Sequence, residues 1–205
     1  DLFHSSGDMN ALEGAGLVNQ DPFSAMTFVS NHDSAPPEYE RLAYAYILTY
    51  EGYPRVYNHR IGASDDEIST LLSLRRNVLS GAATTRYVDN ELYVFERGDG
   101  LVVLNRGNSR RSEWVQTNQS SGTTLTDCTG SSSDTQVNSD GYVQVSAPAV
   151  GYAVYSTECP EGTGGGSGTN QITLQIQAPT EYGESVFFTG STDELTNWGG
   201  GVQGT

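Results

Sequence analysis

Lysine is absent from this 205-residue chain. All ten basic residues are arginine, and they face 25 acidic residues, which gives a formal net charge of −15. Lysine is ordinarily among the commonest residues, so its absence is a real deviation in composition. Together, the missing lysine and the acidic excess favour a halophilic protein, because strong brine screens the repulsion between carboxylates. The alternative is an ordinary acidic secreted protein from a GC-rich genome, which encodes arginine in place of lysine.

Long apolar runs are also missing. No stretch of about 18 apolar residues occurs, so we expect no segment that spans a membrane. No basic patch could neutralise phosphates, which argues against a nucleic-acid partner. No charged-then-apolar leader follows Asp1 and no obvious element closes the far end. Either a signal peptide has been removed or the chain is an excised piece, and we expect a piece of a longer secreted protein. We also expect a monomer.

Cysteine and histidine are scarce. Cys128 and Cys159 are the two cysteines of the chain. They could close a loop of about 30 residues, which would stabilise the fold by roughly 3 to 4 kcal/mol, or remain unpaired thiols. We favour the disulfide, because the chain has the character of a secreted protein. The three histidines lie far apart in sequence, at positions 4, 32 and 59, and no Cys/His spacing indicates a metal site in this segment.

Residues 1–81 alternate strand and helix signals. The continuously apolar residues 25–29 predict a strand buried on both faces. Apolar residues at helical spacing predict a helix over 38–50, and a short strand follows around 55–57. The capping box Ser-Asp-Asp-Glu at 64–67 predicts the start of a second helix. The order strand, helix, strand, helix indicates parallel α/β architecture.

The apolar period changes from helical to two at about residue 85. Short stretches such as "ELYVFERG", "GLVVLNRG", "SEWVQTN" and "GYAVYST" alternate with Gly, Asn, Asp and Ser. This regular spacing predicts an antiparallel β-sandwich over 82–159. Residues 160–170, "PEGTGGGSGTN", are typical of a flexible Gly/Ser linker. Residues 171–205 begin another strand-rich unit, with too few residues to bury a core alone.

The stretch "FVSNHDSAPP", residues 28–37, places polar residues directly after an apolar run. In a parallel barrel, catalytic side chains sit at the C-terminal ends of strands, and His32 and Asp33 occupy such a position. Their imidazole and carboxylate could hydrogen-bond sugar hydroxyls. Taken alone, the tripeptide favours the simpler interpretation that Asn31 and Asp33 are turn formers and that His32 is a half-buried strand end.

The neighbouring sequence favours the functional interpretation of His32 and Asp33 over the simple turn. "FVSNHD" resembles "FVDNHD", the fourth motif of the α-amylase family (glycoside hydrolase family 13), at the end of the seventh barrel strand. "AYAYILTYEGYPRVY" resembles the family's "AYAYILTHPGIPCVFY", which holds the eighth strand. "ELYVFERGDGLVVLNRG" and "TTLTDCTG…VNSDGYVQVSAPAVGYAVY" resemble strands of the sandwich that follows the barrel. The resemblance covers residues 1 to about 158. It implies the C-terminal end of a (β/α)8 barrel over 1–81, then an antiparallel β-sandwich over 82–159.

The resemblance also implies roles for individual residues. Asp33 would be the family's third carboxylate, which binds ring hydroxyls and stabilises an oxocarbenium-like transition state. His32 and Asn31 would bind the sugar beside the cleaved bond. Ser30 stands where the family often has Asp, at a variable position. The family's nucleophile, general acid and calcium ligands belong to motifs that this chain lacks. We therefore expect a calcium-binding, starch-hydrolysing parent protein, and no activity from this chain alone.

A second resemblance lies at 171–205. "ITLQIQAPTEYGESVFFTGSTDELTNWGG" is similar to the opening of the family 20 starch-binding module, whose "GSxxELGNW" is matched except that Thr196 replaces the usual Gly. The resemblance implies that Trp198 stacks on glucose rings and that Tyr182 belongs to a second site. An exposed aromatic face suits the apolar face of a pyranose. A core tryptophan and a loop tyrosine are the alternatives.

These observations predict a multidomain protein, α/β plus all-β, whose last part is a truncated β-sandwich starch-binding module. The predicted function is secreted endo-hydrolysis of α-1,4-glucosidic bonds in starch and maltooligosaccharides, with retention. A maltooligosaccharide-forming exo-amylase shares the domain order and is the alternative within the family. A non-catalytic starch-binding surface protein, built on a decayed barrel, is the alternative from another class. An upstream sequence without a "GFRxDAAKH"-like motif would favour it.

Overall fold

The structure is a computed structural model. It describes residues 2–57 and 62–163, and the backbone of residues 187–188 and 202–203. The chain divides into two compact units, Asp1–Gly168 and Thr169–Thr205. The described helices of the first unit are a 3₁₀ helix (Met9–Leu12), α1 (Leu17–Gln20), α2 (Glu40–Thr49) and α3 (Asp65–Asn77). Its described strands are β1 (Met26–Phe28), β2 (Tyr53–Arg55), β3 (Thr84–Val88), β4 (Leu92–Arg97), β5 (Gly100–Asn105), β6 (Arg111–Gln116), β7 (Thr124–Asp127), β8 (Thr135–Gln136), β9 (Tyr142–Ala147) and β10 (Gly151–Ser156).

Strands β1 and β2 form a parallel pair, in agreement with the order of elements read from the sequence. Met26 lies opposite Tyr53, and Phe28 lies opposite Arg55. Parallel strands need a crossover connection, and helix α2 lies between the two strands in the chain. The pair therefore has the β-α-β connectivity expected of α/β architecture.

The burial predicted for β1 is wrong. Met26 is 60% exposed and Phe28 is 53% exposed, although Ala25 immediately before them is buried. A strand with a continuous apolar run needs a covering layer on both faces. Among the described strands, β2 is the partner of β1, and helix α2 contacts β1. The described residues thus leave part of the strand uncovered.

Helix α2 is buried around most of its circumference, more widely than the single apolar face in the sequence suggests. Every residue over 42–49 is buried.

The turn that leads from α2 into β2 requires glycine at position 52. Gly52 has a φ of +84°, and a Cβ there would lie 3.1 Å from the carbonyl oxygen of Ala25. Both the left-handed conformation and the close backbone approach favour glycine.

Helix α3 begins at the predicted capping box. The Ser64 Oγ accepts a hydrogen bond from the Glu67 N–H at 3.2 Å, and the Ser64 N–H donates back to Glu67 Oε2 at 3.3 Å. This reciprocal pair satisfies two backbone donors at the helix start. The apolar side of the helix buries Ile68, Leu71 and Leu74.

Two arginines close the carboxyl end of α2. Arg75 donates to the carbonyls of Leu48 at 3.2 Å and Tyr50 at 2.5 Å. Arg97 donates to the carbonyls of Thr49 at 3.1 Å and Tyr50 at 2.9 Å. These bonds satisfy carbonyl groups that have no partner inside the helix. Burial, together with the neighbouring Arg97 charge, lowers the pKa of Arg75 to about 10.

The antiparallel β domain predicted for 82–159 is present. Strands β3, β4, β5, β10, β7 and β8 form one antiparallel sheet in that order, and β6 pairs with β9 in a second. On β4, Leu92 and Val94 belong to the core that also contains the inward residues of β6 and β9. Tyr93 and Phe95 belong to the core that also contains the helices α2 and α3. The large sheet therefore lies between a helical layer and the two-stranded sheet.

The first core joins the predicted barrel part to the predicted sandwich. Arg41 of α2 lies over the Tyr152 ring of β10, 5.1 Å from its centroid. The Tyr152 hydroxyl donates to Glu67 of α3 at 3.4 Å. Residues 1–81 and 82–159 thus fall within one compact unit. The boundary at residue 81 stays a prediction.

Cys128 and Cys159 form the predicted disulfide; their Cα atoms are 5.2 Å apart, and the two residues are 31 positions apart in sequence. In the second unit, the described backbone is an antiparallel pair, β11 (Phe187–Phe188) and β12 (Val202–Gln203). Most of the predicted linker, residues 164–170, lies outside the described residues, as does the rest of the predicted starch-binding module. No helix in the described ranges is long and apolar enough to cross a bilayer.

Candidate active site

The polar residues that follow β1 form a tight loop. Asn31 and Ser34 make an antiparallel bridge. The Asn31 Oδ1 accepts hydrogen bonds from the Asp33 N–H at 2.9 Å and the Ser34 hydroxyl at 3.0 Å. An asparagine that bonds to the backbone two residues ahead is a typical turn former. Asn31 therefore shapes the loop, as its residue type suggested, and places His32 and Asp33 within the turn.

His32 and Asp33 face solvent together. The His32 Nε2 lies 3.0 Å from the Asp33 Oδ2, and both side chains are 79% exposed. A surface pair of this kind contributes little to folding stability. An exposed carboxylate accepts hydrogen bonds, and an imidazole can donate or accept, so the pair offers matched partners for ligand hydroxyls.

The parallel pairing decides which edge of the fold carries this loop. The carboxyl ends of parallel strands meet at one edge, where ligands and catalytic groups of α/β folds are found. Residues 30–34 continue from β1 at this edge, and Val56 and Tyr57 continue from β2. His59 and Arg60, the next candidates for this edge, lie outside the described residues.

Two hydrogen bonds anchor the chain just after the loop to the N-terminal segment. The Tyr39 N–H donates to the Phe3 carbonyl at 2.8 Å. The Ser5 N–H donates to the Glu38 carboxylate at 2.9 Å, and this bond holds the pKa of Glu38 below its usual value. These bonds fix the chain after His32 and Asp33, and the pairing of β1 with β2 fixes the chain before them.

A cavity of about 360 Å³ lies beside the loop. Phe28, Val29 and Ala43 contribute apolar walls, and Ser34 contributes a polar group. A concave, largely apolar space with a few polar groups at its edge is the usual form of a small-molecule site. The loop and the cavity together form a candidate ligand site.

Two predicted starch-binding residues and the implied calcium site remain. Tyr182 and Trp198 are outside the described residues. Within 2–57 and 62–163, no three His, Cys, Asp or Glu side chains come together to hold a metal ion. The calcium ligands that the resemblance implies belong to motifs outside this chain, and no chemical step is assigned to a metal.

The described first unit is a β-α-β segment with an ionisable pair at its carboxyl edge, packed on an antiparallel β domain. A family model described as "Alpha-amylase C-terminal" matches residues 101–156. An α-amylase of Geobacillus stearothermophilus is 32% identical over 162 residues, which cover 66% of this chain and 30% of that protein. A glucan 1,4-alpha-maltohexaosidase of Bacillus sp. (strain 707) is 27% identical over 162 residues, covering 66% of this chain and 31% of that protein.

A solved structure agrees on the fold. The α-amylase from Malbranchea cinnamomea aligns with a TM-score of 0.61 at 18% identity, over 76% of this chain and 43% of that chain. The chain spans about 30% of the length of the curated relatives it matches. These matches support the resemblance to the C-terminal region of α-amylase-family proteins that the sequence motifs indicated.

Proposed function

We propose that this chain is part of a secreted α-amylase that cleaves internal α-1,4-glucosidic bonds of starch and maltooligosaccharides with retention. The observation that carries the proposal is the exposed His32–Asp33 pair, at the carboxyl edge of β1, in a chain of this family. The α-amylase relatives support the substrate class.

In this proposal Asp33 accepts hydrogen bonds from ring hydroxyls and opposes the positive charge that develops at the anomeric carbon. Its exposure leaves the carboxylate open to a sugar, and His32 holds one carboxylate oxygen at 3.0 Å. His32 and Asn31 contact the sugar beside the cleaved bond. The nucleophile, the general acid and the calcium site come from parts of the protein outside this chain. The 205-residue chain alone does not cleave starch.

The maltohexaosidase relative favours exo-cleavage with a single main product as a second candidate. The size distribution of products in the first few per cent of amylose hydrolysis separates the two. A broad range of maltooligosaccharides supports endo-cleavage. One dominant oligosaccharide from the start would contradict endo-cleavage and support exo-cleavage.

The starch-binding role of residues 171–205 rests on the sequence pattern at 190–198. In the whole protein, Trp198→Ala should weaken adsorption to raw starch granules by about ten-fold, because the stacking ring is lost. Activity on soluble starch should be kept, and Trp198→Phe, which retains a ring, should adsorb better than Trp198→Ala. Unchanged adsorption of Trp198→Ala would contradict the role of this residue.

We also propose that the protein is adapted to high salt, on the strength of its −15 net charge and missing lysine. Screening of carboxylate repulsion should raise the melting temperature between about 0.2 M and about 3 M KCl. A melting temperature that is indifferent to salt would favour the GC-rich genome as the cause of the composition.

A further inference from the structure

One face of the β6–β9 pair carries exposed aromatic side chains. We call it the outer face, and it consists of Ser112, Trp114, Gln116, Tyr142, Gln144 and Ser146. The alternate residues Val115, Val143 and Val145 are buried in the second core. Trp114 is 50% exposed and Tyr142 is 41% exposed. Within the described β domain these are the two exposed large hydrophobic side chains, and they share this face.

The strand register places the two aromatic residues on neighbouring strands. Trp114 lies opposite Gln144, and Tyr142 lies opposite Gln116, so the aromatic residues are diagonal neighbours. Diagonal side chains on one sheet face are separated by about 7 Å, within reach of aromatic rings. Tryptophan and tyrosine normally bury a large area, and a joint exposed patch marks a binding surface.

A polar depression of about 520 Å³ borders the outer face. Ser112 and Gln144 belong to both, so the aromatic patch and the depression form one continuous surface. The serines over 131–133 and the charged groups of Arg110 and Asp134 line the rest of the depression. The volume falls within the range of ligand pockets.

The serine wall of the depression is held in place by hydrogen bonds. Arg110 donates to the Ser131 carbonyl and to the Ser132 hydroxyl, each at 2.8 Å. The Ser132 hydroxyl donates in turn to the Ser146 carbonyl at 2.9 Å. From inside, the Asp127 carboxylate accepts from the N–H groups of Ser131 and Ser132 at 2.7 Å. A wall fixed in this way binds a ligand without a large ordering cost.

The groups next to the aromatic patch, by contrast, are open. Among the described residues, none makes a hydrogen bond with the Gln144 amide, the Ser112 hydroxyl or the Trp114 indole N–H. These uncharged donors and acceptors lie where a molecule resting on the two rings would present its edges.

This chemistry selects a neutral, polyhydroxylated ligand with an apolar face. A net charge of −15 disfavours polyanions, and the Arg110 guanidinium already donates to serine oxygens. We propose that the outer face binds a linear α-glucan, with pyranose rings on Trp114 and Tyr142 and hydroxyls bonded to Gln144 and Ser112. The choice of a saccharide follows from the surface itself, whereas the choice of an α-glucan rests on the proposed function.

The chain offers its own spectroscopic probe, because Trp114 and Trp198 are its two tryptophans. In the 205-residue chain with Trp198→Phe, maltoheptaose should change the Trp114 fluorescence in a saturable manner. Tyr142→Ala and Gln144→Ala should each weaken the affinity about ten-fold, as expected for central contacts of a binding site. Gln20→Ala, the same amide deletion on α1, should leave the affinity unchanged. The three substituted side chains are exposed, so thermal unfolding should match that of the parent.

Cellohexaose serves as the comparison ligand, since it presents the same pyranose faces in a β-linked chain. Saturation with maltoheptaose and not with cellohexaose supports the proposal. No response to either sugar, or an equal response to both, overturns it. Self-association of the chain that Trp114→Ala abolishes would assign the face to a second copy and also overturn it. Because the signal is fluorescence rather than hydrolysis, failure here leaves the proposed amylase activity standing. Failure of hydrolysis in the whole protein, in turn, leaves the titration interpretable.

Discussion

Asp33→Asn in the whole protein should lower kcat on soluble starch by about 100- to 1,000-fold. The carboxamide keeps the shape of the side chain but removes the negative charge that, in the proposed mechanism, opposes the developing oxocarbenium ion. Loss of one group that stabilises transition-state charge typically costs this much. KM should change far less, because the charge develops after the substrate is bound. Initial rates of reducing-end release, measured over a range of starch concentrations, give both constants.

A matched variant separates this effect from a general loss of negative charge. Asp99 is an exposed acid in the turn between β4 and β5, and Asp99→Asn should leave kcat unchanged. Both variants should melt like the parent, since Asp33 is 79% exposed and pairs with His32 at the surface. Near-normal turnover of Asp33→Asn would remove Asp33 from the catalytic machinery.

Asp127→Ala should lower the free energy of unfolding by about 4 to 5 kcal/mol. Asp127 is 1% exposed. Its carboxylate accepts from the N–H groups of Thr129 at 2.9 Å, of Ser131 and Ser132 at 2.7 Å, and of Val154 at 3.3 Å. Alanine leaves these donors without their acceptor, and each unsatisfied buried donor costs about 1 to 3 kcal/mol, part of which water recovers. Urea unfolding followed by circular dichroism measures the change.

Asp134→Ala is the control for the same loop region. Asp134 is exposed and accepts one hydrogen bond, from the Thr126 hydroxyl at 3.3 Å. A surface substitution of this kind should change the free energy of unfolding by less than about 0.5 kcal/mol. If Asp127→Ala lost no more than Asp134→Ala, the carboxylate would not be the centre of this loop. The shape of the depression beside the outer face would then need another cause.

The sequence predicted those features that depend on local chemistry. The capping box at Ser64 and Glu67 and the antiparallel strands after residue 85 depend on neighbours within a few positions, so their patterns are visible in the chain. The burial predicted for β1 is wrong because an apolar run shows only that a strand is stable when both faces are covered. It does not show whether the described chain supplies both covering layers. The core that α2 and α3 share with the large sheet was not predicted, for a similar reason. The continuous apolar runs of β4 and β5 are buried on both faces, but only the tertiary structure shows that α2 and α3 cover one of them.

The candidate site and the outer face also contain features that local sequence predicts and features that only the tertiary structure shows. The position of His32 and Asp33 at a strand end follows from the order of residues, and the Asn31 turn follows from its residue type. Trp114 received no role from the sequence, because a single tryptophan in an alternating strand is as compatible with a core as with a surface. Its partner Tyr142 comes from a strand almost thirty residues later in the chain, so the aromatic pair exists only through the β6–β9 register.

The anomeric configuration of the first products tests the central claim most directly. Proton NMR of the anomeric region, recorded during the first minutes of maltoheptaose hydrolysis by the whole protein, distinguishes the new α and β reducing ends before they equilibrate. A retaining enzyme acting on α-1,4 bonds releases α-configured products first, and this is the result we predict. Release of the β-anomer first, or no cleavage at all, would contradict the proposal that this chain is part of a retaining α-amylase.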